Sequence, residues 1–229
     1  VESLAAKKSG SLLAIDADPN SNLPELLGLK SSKTVVGMID EISKNMGSIP
    51  QGMTKDRYIE MKMQQDGVAE EDRFDLLAMG RPEGPGCYCY VNNLLRGIVA
   101  KITKNYDFVV IDNAAGMEHI SRRTERVVDK LVLVSDFSVF GVRSASNIYQ
   151  LAKDLNIKIG GAYLILNKLT GPADSLAGEI RDSGLSLAGT IPYENDLGCL
   201  SLANRPIFEL KSEQVKSAVD DILKNLMRG

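Results

Sequence analysis

The sequence predicts an α/β fold, a mostly parallel sheet with helices on both faces. Three observations lead there. Short runs rich in β-branched and aliphatic residues alternate with stretches whose apolar residues recur every three or four positions. The runs are nearly continuous in hydrophobicity, as expected of strands covered on both sides. Several of them end in a carboxylate or an amide, the place where open α/β sheets bind ligands.

Taken in order, Val1 to Lys8 reads as the last turns of a helix, and Ser11–Asp16 is the first strand of the sequence. Phe74–Met79, Tyr106–Asp112, Lys130–Ser135 and Gly161–Asn167 follow as buried strands, with a weaker one at Leu187–Ile191. Helical spacing covers Val91–Thr103, Glu118–Val128, Val142–Leu155, Ala173–Ser183 and Glu213–Met227. In the last of these Val215, Val219, Ile222 and Leu226 share one side and Lys216, Asp220 and Lys224 the other, which predicts a helix docked on the sheet. Earlier in the chain, Tyr58 with Met61 and Ile59 with Met63 have helical spacing, so core packing or a partner groove fits these methionines better than soft-metal transfer.

The composition is that of a globular protein: 229 residues, 44% hydrophobic and 25% charged, enough for one compact domain spanning 1–229. A net charge of −3 without a basic block disfavours a nucleic-acid partner, and no apolar run reaches membrane-spanning length, so no membrane partner is expected. Three cysteines are too few for a disulfide framework and fit a reducing cytoplasm.

Two of those cysteines, Cys87 and Cys89, lie in Arg81-Pro-Glu-Gly-Pro-Gly-Cys-Tyr-Cys-Tyr90, a stretch that reads as a loop with a defined backbone path. Paired thiolates suit nickel or zinc, but a tetrahedral site takes four ligands. A twofold interface between two copies supplies the other two, which predicts a metal-bridged homodimer. A redox pair and a pair of buried small hydrophobes are the other readings of a Cys-x-Cys.

The polar strand ends form a second set. The first strand runs into Asp16-Ala-Asp18-Pro19-Asn20, the third into Asp112-Asn-Ala-Ala-Gly116 and the fifth into Asn167-Lys168. An aspartate at such a position can hold magnesium through its waters, a second can orient an attacking water, a glycine amide can approach a terminal phosphate, and Asn-Lys can hydrogen-bond a base edge. Each alone is also an ordinary turn or helix cap.

Together with Gly52-Met-Thr-Lys-Asp-Arg-Tyr-Ile-Glu-Met61, Met79-Gly-Arg-Pro-Glu-Gly-Pro-Gly-Cys-Tyr-Cys89 and Ala115-Gly-Met-Glu-His-Ile-Ser-Arg-Arg123, these elements make the chain resemble the MinD/ParA class of deviant P-loop ATPases. Within that class it is similar to the CooC-type ATPases, which help load nickel into carbon monoxide dehydrogenase or acetyl-CoA synthase. The resemblance runs from Ser11 to the C-terminus. It implies ATP or ADP with Mg2+ as ligands, Asp18 as the switch I carboxylate that positions water, and Asp112 as the switch II carboxylate near magnesium. It also implies Gly116 at the γ-phosphate, Asn167 reading adenine, Pro192, Tyr193 and Glu194 flanking the base, and Cys87 and Cys89 as metal ligands at a dimer interface. His119, the only histidine, is expected to pack or hydrogen-bond beside switch II. No Gly-x-x-x-x-Gly-Lys-[Ser/Thr] occurs in the sequence, and the resemblance places that loop before the helix ending near Lys8, so the expectation is a chain lacking its first strand and phosphate loop. A MinD/ParA-type positioning ATPase acting on membrane or nucleoid, and a catalytically silent metal-binding scaffold, are the alternatives.

Overall fold

The computed structural model describes residues 1–7, 10–29, 33–81, 97–116 and 127–228. They fall into two compact units, one of Val1–Ala114 with Asn204–Phe208, the other of Ala115–Ala203 with Glu209–Gly229.

The first unit carries a four-stranded sheet in the order β2-β3-β1-β4, made of β1 (Leu12–Asp16), β2 (Ala69–Glu70), β3 (Asp75–Ala78) and β4 (Phe108–Asp112). β1 is parallel to both β3 and β4, while the two-residue β2 runs antiparallel at the edge, so the sheet is mostly parallel, as expected. All five residues of β1 are buried, because period-two side chains of a central strand meet a packed layer on either side. Leu13, Ile15 and Leu77 pack with Val35, Ile39 and Ile42 of α3 (Val35–Lys44), with Ile59 and Met63 of α4 (Lys55–Asp66), and with Ile98 and Ile102 of a helical stretch at 97–102. Leu12, Ala14 and Leu76 point the other way, onto Ala5 of α1 (Glu2–Ala6) and Leu27 just after α2 (Leu23–Leu26). Ile59 and Met63 have no exposed surface, which confirms the core reading of their spacing. Thr34 and Thr54 cap α3 and α4 by accepting from Gly37 N–H at 3.1 Å and Arg57 N–H at 3.4 Å.

The second unit holds a parallel sheet in the order β5-β6-β7: β5 (Val127–Asp136), β6 (Lys158–Leu169) and β7 (Ser186–Pro192). Leu133, Leu164 and Leu166 pack with Val142 and Ala145 of α5 (Val139–Asp154) and with Leu185, which follows α6 (Ala177–Ser183). Ile165 and Ala188 pack with Ile222 of α8 (Glu213–Arg228), while Val215 of the same helix packs with Leu200 of α7 (Asn195–Leu202). The docked C-terminal helix is thus as expected.

At two places the structure gives a different kind of element from the sequence reading. Val127 and Val128, assigned above to the helix Glu118–Val128, open β5 and pair with Lys158 and Ile159. Neighbouring β-branched residues gain more from a strand ladder than from a helix that restricts their χ1 freedom. The segment Ala173–Ser183 begins with a 3-10 turn, Ala173–Leu176, before α6, since Pro172 precedes it. The rest of Glu118–Val128, the start of Val91–Thr103, and Cys87, Cys89, His119, Arg122 and Arg123 lie outside the described residues.

Candidate functional site

In the first unit β1 and β4 end side by side, and their parallel register sets Asp16 opposite Asp112. The backbone carries the two strands on together, Ala17 N–H donating to Asp112 C=O at 2.8 Å and Met79 N–H to Asp16 C=O at 2.9 Å. Three predicted carboxylates therefore share one strand edge: Asp16, Asp112 and, two residues past Asp16, Asp18.

Their environments differ. Asp16 has no exposed surface, and its two oxygens accept from Asp18 N–H and from Leu23 N–H, the first residue of α2, each at 3.0 Å. Burial raises its carboxyl above the ordinary aspartate range against the pull of those two N–H groups, with Asp18 adding repulsion. Asp18 bends the following turn by accepting Asn20 N–H on Oδ1 at 2.8 Å, with Ser21 next in a left-handed conformation at φ 51°. Asp112 reaches solvent at the strand end, yet the surrounding protein and then the charges of Asp16 and Asp18 also raise its carboxyl. Mutual repulsion among oxygen ligands is relieved by a hard dication, so the donor set fits Mg2+ held through its waters. No three His, Cys, Asp or Glu side chains among the described residues converge closely enough to hold a metal directly.

A cleft of about 590 Å3 with mixed polar and apolar walls begins beside this edge, lined among others by Pro19, Ser21, Thr34, Val36, Asp40 and Arg81. A second cleft, of about 720 Å3, lies between α3 and α4 and is lined by Lys33, Tyr58 and Lys62; neither cleft includes a predicted site residue.

In the second unit Gly116 has φ 98°, a conformation suited to glycine, and among the described residues nothing lies within 4 Å of where a Cβ would stand. At the ends of β6 and β7 the predicted base-binding residues come together. Asn167 pairs in register with Asp136 and turns its Oδ1 onto Lys168 N–H at 2.9 Å, with Lys168 left-handed at φ 55°. Leu169 pairs with Pro192, and Tyr193 N–H donates to Leu169 C=O at 3.0 Å, so the Asn167–Lys168 turn and the Tyr193–Glu194 loop are joined through the backbone. The Tyr193 side chain is 58% exposed. Glu194 caps α7 by accepting from Asp196 N–H and also accepts from the Ser212 hydroxyl at 2.7 Å. That hydroxyl first, and the Asp196 N–H second, hold the Glu194 carboxyl below the usual glutamate range.

Sequence reasoning did not single out Ser212. Its place just before the helix starting at Glu213 marks it as a cap, but the pairing with a residue 18 positions earlier is a tertiary fact.

No protein-family model matches the chain. Among characterised and uncharacterised relatives, it is 40% identical over 226 residues to an uncharacterized ATP-binding protein of Methanocaldococcus jannaschii, covering 97% of this chain and 89% of that one. It is 32% identical over 213 residues to the carbon monoxide dehydrogenase accessory protein CooC of Rhodospirillum rubrum, covering 87% of this chain and 79% of that one. Among solved structures it is similar to MinD in the MinC:MinD cell division complex of Aquifex aeolicus, with a TM-score of 0.69 at 20% identity over 98% of this chain and 86% of that one. The cell division ATPase MinD of Pyrococcus furiosus gives a TM-score of 0.67 at 16% identity over 99% and 89%. The structural likenesses establish the fold, and the sequence identity narrows it. With both in hand, the chain belongs to the MinD/ParA family of ATPases, in its CooC-type branch.

Proposed function

We propose that this protein is an ATP-driven metallochaperone that inserts nickel into carbon monoxide dehydrogenase or acetyl-CoA synthase. It works in the cytoplasm as a homodimer of single ATPase domains spanning 1–229, bridged by one nickel or zinc ion on Cys87 and Cys89 of both copies. The observation that carries this reading is the 32% identity, over 87% of the chain, to a carbon monoxide dehydrogenase accessory protein. A Cys-x-Cys in a chain with that likeness supports the metal-ligand reading over a redox pair.

In this mechanism Asp18 accepts a hydrogen bond from the attacking water and turns a lone pair toward the γ-phosphorus. The Asn20 N–H on its Oδ1 fixes the carboxylate plane and leaves Oδ2 for that water. Magnesium, when bound, offsets phosphate charge and the repulsion between carboxylates. Asp112 and Asp16 supply the negative edge that retains it, Asp16 held rigid by Leu23 N–H. Gly116, with no side chain of its own, brings its backbone N–H to the γ-phosphate. Asn167 and Lys168 read the adenine edge, and Pro192, Tyr193 and Glu194 border the base. Loss of the γ-phosphate releases the two switch segments, and with them the dimer state that holds the cargo metal.

Native mass spectrometry of the full-length protein titrated with nickel and with zinc, beside a Cys87→Ser/Cys89→Ser variant, tests the proposal. One ion per two chains, with the bridged dimer lost in the variant, is expected. A dimer that forms with ATP alone and takes up no metal would contradict it.

A further inference from the structure

The carboxylate of Glu194 is occupied within the protein. One oxygen accepts Asp196 N–H at 3.4 Å, and the other accepts the Ser212 hydroxyl at 2.7 Å. The same hydroxyl accepts Val215 N–H at 3.4 Å, which places it at the N-terminal cap of α8. α8 is itself fixed on β7: Ile222 is 5% exposed beneath Gly189, and Asn225 Nδ2 donates to Ala188 C=O at 2.9 Å. At its other end the loop is tied to β6 through Tyr193 N–H and Leu169 C=O. A carboxylate engaged on both oxygens is fixed in orientation and anchors the loop that carries it. The group this loop does offer to solvent is the exposed Tyr193 ring, an apolar plate suited to stacking on a purine.

We propose that Ser212 is a positioning residue for the nucleotide base: its hydroxyl locks Glu194, and the locked loop holds the Tyr193 ring where it covers the purine plane beside Asn167. The inference rests on the adenine-site reading above. It assigns Glu194 the part of a brace and gives Tyr193 the contact.

The test measures ATP, GTP and tripolyphosphate affinities by calorimetry on the full-length wild type and on Ser212→Ala, Ser212→Thr and Tyr193→Ala. Losing a charge-assisted hydrogen bond should weaken ATP and GTP binding to Ser212→Ala about tenfold each, since a ring stacked on the purine plane does not tell the two bases apart. Tripolyphosphate, which has no base, should bind unchanged. Threonine, which keeps the hydroxyl, should restore the affinity, and adding Ser212→Ala to Tyr193→Ala should lower it no further. If Ser212→Ala keeps the wild-type ATP affinity, or loses tripolyphosphate affinity in the same proportion, the brace is refuted and the adenine site stands. A wild type that does not distinguish ATP from GTP refutes the adenine site, and the brace falls with it.

Discussion

Replacing Asp112 by asparagine keeps the side-chain shape and removes one of three carboxylates gathered at the end of β1 and β4. Asp16 and Asp112 are register partners on adjacent parallel strands. Such strands lie about 4.8 Å apart, which puts the two carboxylates roughly 6 Å from each other. Two unit charges at that distance repel by about 0.7 kcal/mol in water and about 3 kcal/mol at an effective dielectric constant near 20. Asp112 reaches solvent, so screening sets the gain at the lower end, about 1 kcal/mol. Asp112→Asn should therefore make the nucleotide-free protein more stable, by about 2–4 °C in melting temperature for a chain of this length, while abolishing ATP hydrolysis.

The pH dependence has a definite sign. A carboxyl whose folded-state pKa is raised binds more protons folded than unfolded, so its cost to stability appears as pH rises from the ordinary aspartate value through the raised one. The advantage of the variant should be larger at pH 7 and should shrink as pH falls through the raised value toward the ordinary aspartate value of about 4. Thermal melts at both pH values, in low salt with EDTA, check this. A variant that melts at or below wild type at pH 7, or keeps the same advantage at pH 4, would show that burying a third charge beside Asp16 and Asp18 carries no cost at this edge.

Two further substitutions probe the units separately. Ile59→Ala removes a fully buried side chain from the core of the first unit and should cost about 2–5 kcal/mol in urea titrations, with an unchanged slope. Gly189→Ala would set a methyl group 2.5 Å from Ile222 Cγ1 and should cost about 1–3 kcal/mol by pushing α8 off β7; in that background Ile222→Ala, which removes Cγ1, should cost less than it does in the wild type in the same melt.

The strands of the first sheet were legible because both of its faces are packed. Leu12-Leu-Ala-Ile15 has no polar residue to mark a solvent side, and the structure buries all four. The carboxylates at the strand ends were legible for the converse reason, a buried run being a costly place to stop on an aspartate without a use for it. Residues 127–128 were misread because apolar spacing continues across the junction and periodicity alone does not separate a short strand from the end of a helix. α3, α7 and the edge strand β2 were not picked out, since their sequences are short or interrupted by glycine and polar residues, and packing on the sheet stabilises them.

By itself, then, the sequence determined the described strands other than β2, if not all their bounds, which aspartates and amides stand at their ends, and the Cys87-x-Cys89 pair that sets the metal proposal. Pattern and residue chemistry are local properties, and a chain carries them whatever its tertiary contacts. Only the tertiary structure decided that Asp16 spends both oxygens on backbone N–H groups while Asp112 remains at the open edge. It alone joined Glu194 to Ser212, because a hydrogen bond across 18 positions exists only once α8 has docked on β7. Such pairings depend on where the burial of apolar faces brings distant backbone, and that is settled by packing of the whole unit.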